Sequence, residues 1–156
     1  MPTHAEKRVL PHTPDQLFAL VADVERYSEF LPWCVAVRVR RREQMTPEEG
    51  GGELLVADMA IGFKVFRERF TSRVICRRPD RIDVAYTDGP FRYLNNHWVF
   101  TPAEGGGCEI DFYVDFEFRS VLLQKAIGLV FNEAVQKMVN AFEDRAQVLY
   151  PRGRKK

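Results

Sequence analysis

The last third of the chain places a strictly alternating segment directly before a long one-sided helix. From Cys108 to Arg119 apolar and polar residues alternate, which predicts a strand with one apolar and one acidic face. From Ser120, a predicted N-cap, to about Tyr150, apolar residues recur at helical spacing over roughly 30 residues, or about 45 Å. A helix this long needs a broad apolar partner, so we predict that a sheet wraps around it.

The segments before this pair predict the rest of such a sheet. A strand near Ala5 to Leu10 is followed by Thr13-Pro14-Asp15-Gln16, which supplies the N-cap, first-turn proline and capping-box partner of a helix reaching Asp23. A second short helix is predicted from Glu25 to Phe30. Turn residues separate the remaining strand-like segments, which are Val35 to Arg40, Glu53 to Ile61, Phe63 to Cys76, Arg81 to Thr87 and Tyr93 to Pro102. This order predicts an α+β fold, with a curved antiparallel sheet of six to seven strands around one long C-terminal helix.

Length and charge favour one domain with a basic tail. The 156 residues fit a single domain over 1–150, with a tail at 151–156. Its four bases are Arg152, Arg154, Lys155 and Lys156, and without them the chain has 19 bases against 22 acids. A DNA-binding or other general polyanion-binding domain is therefore not expected. The tail itself is either solvated and mobile or in contact with anionic lipid or RNA.

Several chemical classes lack their signatures. Cys34, Cys76 and Cys108 form no C-x-x-C pair, and the three histidines lack metal-ligand spacing, so neither a disulfide framework nor a metal site is predicted. No nucleophile elbow, Gly-rich phosphate loop after a strand, or H-E-x-x-H motif is present, so we predict no catalytic residues. The N-terminus has no apolar leader segment, and polar residues interrupt the apolar segment 121–139. We therefore expect a cytoplasmic protein that does not span a membrane.

Strand phase gathers many of the 19 aromatic residues on one inward face. That face is otherwise apolar but includes Glu68, Ser72 and Asn96. Two interpretations fit this pattern, either a packed core in which each polar group has a partner, or an apolar cavity in which a few polar groups orient a ligand. Glu68 is accordingly either an acid or base with a raised pKa or the partner of an arginine or backbone donor. The outward arginines form a basic surface or pair with the acidic face of the last strand. These arginines are Arg38, Arg40, Arg67, Arg69 and Arg73, and the acids are Glu109, Asp111, Asp115 and Glu117.

Eight short strings occur in order along nearly the whole chain. They are Phe30-Leu31-Pro32-Trp33-Cys34, Phe70-Thr71-Ser72-Arg73-Val74, Gly89-Pro90-Phe91-Arg92-Tyr93-Leu94, Asn96-His97-Trp98, Ser120-Val121-Leu122-Leu123, Val130-Phe131-Asn132-Glu133, Lys137-Met138-Val139 and Ala141-Phe142-Glu143. Together they resemble the coenzyme Q-binding protein family of the START-like, polyketide-cyclase-like superfamily. The resemblance implies a helix-grip fold and a non-enzymatic protein that binds ubiquinone, or a similar polyprenyl lipid, in support of respiratory electron transport. Ubiquinone would be a bound ligand rather than a cofactor, and contact with the inner membrane would be peripheral. Bacterial members include ribosome-association toxins that block subunit joining, so a ribosome-binding protein is the alternative. A cyclase or hydrolase using Glu68 is a third hypothesis.

Under the quinone hypothesis, the inward faces supply the candidate ligand-binding residues. These are Trp33, Phe66, Glu68, Phe70, Ser72, Tyr86, Phe91, Leu94, Asn96, Trp98, Phe112, Val114, Phe116, Leu123, Ile127, Val130 and Phe131. A quinone head group offers only acceptors, so donors are expected from Trp33, Ser72, Tyr86, Asn96 and Trp98. The apolar members suit an isoprenoid tail. Gly128 would either admit the ligand closely or allow tight packing of the helix on the sheet.

Overall fold

Seven antiparallel strands form a single sheet. A computed structural model describes residues 3–63 and 66–151, apart from the side chains of Phe63 and Phe66. The strands are β1 (Thr3–Leu10), β2 (Cys34–Gln44), β3 (Glu53–Phe63), β4 (Phe66–Arg77), β5 (Arg81–Asp88), β6 (Phe91–Pro102) and β7 (Cys108–Phe118), in the order β1-β7-β6-β5-β4-β3-β2. The predicted α+β architecture is confirmed. The basic tail, Arg152 to Lys156, lies outside the described residues, as do Lys64 and Val65 in the predicted strand Phe63 to Cys76.

The two predicted short helices follow β1. Helix α1 (Pro14–Ala22) begins with the predicted capping box, in which the Gln16 amide donates to Thr13 Oγ1 at 3.1 Å and the Thr13 amide donates to Gln16 Oε1 at 3.0 Å. The second is a 3₁₀ helix, Val24–Glu29. Its buried Tyr27 donates its hydroxyl to the Val21 carbonyl, which fixes the 3₁₀ helix against α1.

The long helix α2 (Val121–Leu149) packs along the concave side of the sheet, so the chain has a helix-grip fold. The Leu123 amide donates to Ser120 Oγ at 3.1 Å, which confirms the predicted N-cap. The buried positions of α2 follow helical spacing and face the sheet. They are Leu123, Phe131, Val135, Phe142 and Ala146. Among the described residues, neither helix combines the length and the apolar character that crossing a bilayer requires.

One end of the interior is closely packed around Phe142. Its ring makes edge-to-face contacts with Tyr27, Phe30 and Trp98 at centroid distances of 5.4, 5.2 and 4.9 Å, and Trp98 lies 4.6 Å from Phe112. We call this region, defined by these five rings, the packed end. Such edge-to-face pairs are favourable beyond the area they bury. The packed end is therefore the part of the interior that matches the packed-core interpretation.

The three cysteines are buried among the core residues. Burial raises the pKa of Cys34, Cys76 and Cys108 to about 11 in each case. The thiols therefore remain protonated at neutral pH, where only a thiolate would act as a nucleophile or metal ligand.

The outer face of the sheet is divided by charge. Arg40 pairs with Asp58 on the neighbouring β3 at 2.8 Å, but in the described part of the chain Arg38, Arg69 and Arg73 have no carboxylate within 4.0 Å. The predicted pairing of outward arginines with the acidic face of β7 is wrong, because β5 and β6 lie between β4 and β7. Arginines therefore dominate β2 to β4, and carboxylates dominate β7.

Candidate functional site

A cavity of about 240 Å³ lies between α2 and the sheet, at the end of the interior opposite the packed end. We call it the hollow end. Its lining residues are Trp33, Ile61, Gly62, Glu68, Phe70, Phe91, Leu94, Val114, Phe116, Phe118, Leu123, Ile127, Phe131, Ala134, Val135 and Met138. The cavity is partly open to solvent, and several of its lining residues, among them Trp33, Ile61 and Glu68, are partly exposed.

The periodicities of the strands and of α2 determine which residues face the cavity. On β4, β6 and β7 alternate residues point to the concave side, so that Val114, Phe116 and Phe118 follow one another along the same wall. On α2, residues three or four apart share a face, which brings Leu123 and Ile127 over the same space. The cavity thus has a wall of strands and a wall formed by one helix.

A cluster of rings centred on Phe91 forms one side of the cavity. Phe91 stacks on Phe118 at 4.6 Å and makes edge-to-face contacts with Phe70, Tyr86 and Phe116 at 5.4, 5.4 and 5.5 Å. Four of these five rings line the cavity, and the ring of Tyr86 lies behind Phe91. This side of the cavity is therefore apolar, and its rings pack in the stacked and edge-to-face arrangements that aromatic side chains favour.

Polar groups are scarce in the cavity. Glu68 is the single charged side chain among the sixteen lining residues, and it is partly buried. The indole N–H of Trp33 donates to the Ala134 carbonyl at 3.3 Å, which ties the loop before β2 to α2. Within residues 3–63 and 66–151, no cluster of His, Cys, Asp or Glu could hold a metal ion. The cavity is therefore suited to apolar matter, with one carboxylate at its side.

The structure brings ten of the seventeen predicted ligand-binding residues together around the cavity. They are Trp33, Glu68, Phe70, Phe91, Leu94, Val114, Phe116, Leu123, Ile127 and Phe131. Six others do not line it: Ser72, Tyr86, Asn96, Trp98, Phe112 and Val130. The side chain of Phe66 lies outside the described residues.

The residues placed elsewhere have structural roles that strand phase does not reveal. Trp98 and Phe112 point inward as predicted but belong to the packed end, where Phe142 fills the space between them and α2. The Asn96 amide donates to the Tyr113 carbonyl at 2.9 Å and accepts from Trp98 Nε1 at 3.3 Å. The predicted donors Asn96 and Trp98 are thus used within the protein.

The remaining three predicted residues do not line the cavity, for other reasons. The Tyr86 hydroxyl accepts from the Phe91 amide at 3.0 Å, behind the cavity wall. Ser72 is buried farther along β4, opposite Ala57 and Tyr86. Val130 is half-buried at the edge of the α2 face that lines the cavity, and it is not among the lining residues.

Six lining residues were not predicted: Ile61, Gly62, Phe118, Ala134, Val135 and Met138. Phe118 belongs to the inward alternation, and Ala134 and Met138 belong to the apolar stripe of α2, so the signal for these three was present. Ile61 and Gly62 line the cavity because β3 pairs them with Glu68 and Arg67, a register that sequence does not specify. The expected tight packing of the helix at Gly128 is wrong, because a side chain there would meet no atom within 4 Å, and Gly128 is not among the residues that line the cavity.

Comparison with known protein families identifies the family to which the chain belongs. Residues 10–143 match the family described as "Polyketide cyclase / dehydrase and lipid transport". The chain belongs to this family. The match extends from the end of β1 to the last part of α2, so it includes both walls of the cavity.

Two relatives from this family carry different names. The chain is 37% identical over 144 residues to "Ribosome association toxin RatA" of Rickettsia prowazekii, covering 90% of this chain and 92% of that protein. It is 32% identical over 153 residues to "Coenzyme Q-binding protein COQ10 homolog B, mitochondrial" of Xenopus laevis, covering 96% of this chain and 59% of that protein. Both the expected family and its two functional descriptions are therefore represented among the relatives.

A solved structure confirms the helix-grip fold. The Zhui aromatase/cyclase from Streptomyces has a TM-score of 0.79 and covers 97% of this chain and 98% of its own. Its sequence identity is 14%, so the likeness concerns the fold alone.

Proposed function

We propose that the protein binds a polyprenyl lipid, ubiquinone or a close analogue, in the cavity at the hollow end and acts as a non-catalytic carrier that supports respiratory electron transport. The observation that carries this proposal is an apolar, ring-lined cavity with a single carboxylate between sheet and helix. The name of the Xenopus relative supports the choice of ligand.

The chemistry of the lining favours the isoprenoid part of such a lipid. An isoprenoid segment needs apolar area and no hydrogen bonds, and it gains about 25 cal/mol for each Å² removed from water. A quinone ring needs donors, but the N–H groups of Trp33, Asn96 and Trp98 donate within the protein. We therefore propose that the isoprenoid segment nearest the ring occupies the cavity and that the ring stays near its opening.

The size of the cavity limits how much of the lipid enters. A volume of about 240 Å³ lies a little below the roughly 300–1,000 Å³ of sites that enclose a drug-sized ligand. A long polyprenyl chain is much larger than such a ligand. The proposal is accordingly for partial enclosure, with the remainder of the chain outside.

A non-catalytic role agrees with the composition of the site. Among the sixteen lining residues that the structure describes there is no histidine, cysteine, serine or lysine beside Glu68. Covalent catalysis ordinarily uses such a nucleophile together with a neighbouring base that activates it. We therefore favour binding over the cyclase or hydrolase hypothesis.

Titration with a short-chain prenyl quinone, followed by native mass spectrometry and amide NMR, tests the proposal. We expect one bound quinone and shifts confined to residues around the cavity. Val114→Phe would place a ring in the cavity and weaken binding about tenfold or more, a change of about 1.4 kcal/mol. Val9→Phe is the matched control, because Val9 is on an exposed face of β1, and it should bind like the natural protein. Absence of quinone binding, or equal weakening by both variants, would overturn the proposal.

A second candidate function is ribosome binding through the outer face of β2 to β4. It is favoured by the exposed Arg38, Arg69 and Arg73, which have no carboxylate partner within the described residues, and by the name of the Rickettsia relative. Three cations on one sheet face suit the phosphates of RNA.

Co-sedimentation with ribosomal subunits at increasing salt tests this candidate. Arg38→Gln/Arg69→Gln/Arg73→Gln should reduce binding and lower the salt slope by roughly 0.7–0.9 for each phosphate that the variant no longer neutralises. The control Arg41→Gln/Arg42→Gln/Arg81→Gln removes three arginines that pair with Glu43, Glu25 and Asp83. No sedimentation of the natural protein at low salt would rule this function out.

A further inference from the structure

Three large apolar side chains in the first third of α2 face solvent. Val121, Leu122 and Leu129 are 69%, 76% and 88% exposed, and we call them the exposed apolar strip. Leu122 and Leu129 are seven residues apart, so they lie on one side of the helix, two turns from each other. Scattered single exposures of this kind are ordinary, but a row on one helix face marks an interaction surface.

The strip lies on the same turns of α2 that wall the cavity. Leu123 and Ile127 point into the cavity from these turns, and the strip points away from it. Val35, another exposed apolar residue, is next to the cavity-lining Gly62, since a side chain at Gly62 would lie 3.2 Å from Val35. Exposed apolar groups therefore occur on both sides of the hollow end.

Positive charge accompanies the strip. Lys125 is three residues after Leu122 and four before Leu129, so it shares their face of the helix. Arg119 immediately precedes the N-cap of α2 and is also exposed. Neither cation has a carboxylate within 4.0 Å among the residues that the structure describes. The surface thus combines protruding leucines with unneutralised positive charge.

We propose that the exposed apolar strip, with Lys125 and Arg119, docks the protein on an anionic lipid bilayer. Leucines on a helix face enter the boundary between head groups and acyl chains, while the adjacent cations contact anionic head groups. The proposal rests on the proposed lipid-binding function, because docking here holds the hollow end against the bilayer. A lipid whose chain is only partly enclosed can then keep its remaining length in the membrane.

The features of the strip favour a bilayer over other occupants. A stable dimer buries about 800 Å² on each partner. Three aliphatic side chains, each smaller than an aromatic ring that buries about 150–250 Å², fall short of that area. An RNA partner would use the cations but would leave the leucines exposed, because phosphates and sugars offer them little apolar surface.

The opposite end of α2 supplies a matched control. Val148 and Leu149 are also exposed, at 70% and 44%, and they are next to the basic tail. They lie about 19 residues, or roughly 28 Å, from Leu129. A variant at each end of one helix therefore distinguishes docking at the hollow end from docking near the tail.

Co-sedimentation of the full chain with vesicles tests the proposal. We expect binding to vesicles of phosphatidylcholine with phosphatidylglycerol and weaker binding to phosphatidylcholine alone. Leu122→Ser/Leu129→Ser should weaken binding about tenfold or more, and Val148→Ser/Leu149→Ser should not. Lys125→Gln should reduce only the preference for anionic vesicles. Circular dichroism and thermal unfolding check that each variant is folded.

Two outcomes overturn the docking proposal: failure of the natural protein to bind either vesicle, and loss of binding in the tail-end variant but not in the strip variant. Quinone binding in solution, measured on the same proteins, separates this proposal from the proposed function. The strip variant should still bind the quinone, because neither leucine lines the cavity. Vesicle binding without quinone binding would overturn the proposed function and leave the docking surface standing.

Discussion

The packed end and the hollow end share β6, β7 and α2 and contain the same kinds of apolar residue. On β6, Trp98 belongs to the packed end and Leu94 to the hollow end, four residues apart on one face. On β7, Phe112 and Phe116 are divided in the same way. The two ends therefore do not differ in strand phase or in hydrophobicity.

The difference lies in what covers the sheet. At the packed end α2 contributes the ring of Phe142, and Tyr27 and Phe30 of the 3₁₀ helix region pack against that ring. At the hollow end α2 contributes one ring, Phe131, beside the small side chain of Ala134, and none of the sixteen lining residues belongs to the 3₁₀ helix. The additional rings of the 3₁₀ helix region are thus what fills the space at the packed end, and without them the cavity remains at the hollow end.

The largest expected effect comes from truncating a ring at each end. Phe142→Ala should lower the free energy of unfolding by about 3–5 kcal/mol, because it removes a ring with three aromatic neighbours. Phe70→Ala should cost about 1–2 kcal/mol less, because one side of that ring already faces the cavity. Urea unfolding of both variants measures this, and equal losses would contradict the distinction between the two ends.

The second-largest expected effect on stability comes from replacing an alanine by leucine at two positions of α2. Ala146 is fully buried near the packed end, and Ala146→Leu should destabilise by about 1–3 kcal/mol through overpacking. Ala134 lines the cavity, so Ala134→Leu should stay within about 1 kcal/mol of the natural protein while weakening quinone binding. Thermal unfolding and quinone titration report the two effects. A more severe loss of stability for Ala134→Leu would mean that the cavity has no free space.

The fold followed from sequence because its signals are local. Alternation in β7, the capping box at Thr13 and the stripe of α2 each depend on neighbouring residues, and all three are confirmed. The site was predicted less completely, because alternation gives the face of a residue and not what lies opposite. Trp98 and Leu94 lie on the same face of β6, so strand alternation predicts the same environment for both. Only the position of Phe142 shows that Trp98 is at the packed end and Leu94 at the hollow end. The pairing predicted for the outer arginines failed for a related reason, since strand order is not contained in the pattern of any one strand.

A smaller effect should come from the helix segment above the cavity. A glycine in a helix costs roughly 0.5–1 kcal/mol relative to alanine, and a side chain at Gly128 would meet no atom within 4 Å. Gly128→Ala should therefore stabilise by about 0.5–1 kcal/mol and slow amide exchange at the start of α2. The control Gly107→Ala should destabilise, because its side chain would lie 2.5 Å from the Leu10 carbonyl oxygen. Destabilisation by Gly128→Ala would show that this part of α2 is closely packed.

The smallest effect concerns an ion-pair network that joins β1 to α2. Arg8 bonds Glu6 and Glu143, each at 2.6 Å. Burial opposes ionisation of Glu6, but hydrogen bonds from His4 and Arg8 outweigh it and lower the pKa of Glu6 below its usual value. The unfolded chain then takes up this proton at a higher pH than the folded one, so the stabilisation is present above the unfolded pKa and is lost as pH falls.

Acid unfolding of Glu6→Gln beside the natural protein measures that contribution. We expect up to about 1 kcal/mol of additional stability in the natural protein at neutral pH, disappearing at pH values below the folded pKa of Glu6. A difference that stays constant from neutral to acid pH would show that the carboxylate charge is not what matters.

Methyl NMR of the protein titrated with a short-chain prenyl quinone tests the central claim most directly. The claim is that the hollow end binds lipid and the packed end does not. The account predicts shifts for cavity methyls such as those of Ile61, Val114 and Ile127, with Leu17 and Ile82 of the packed core unchanged. No shifts at a saturating quinone concentration, or shifts of equal size in both sets, would contradict it.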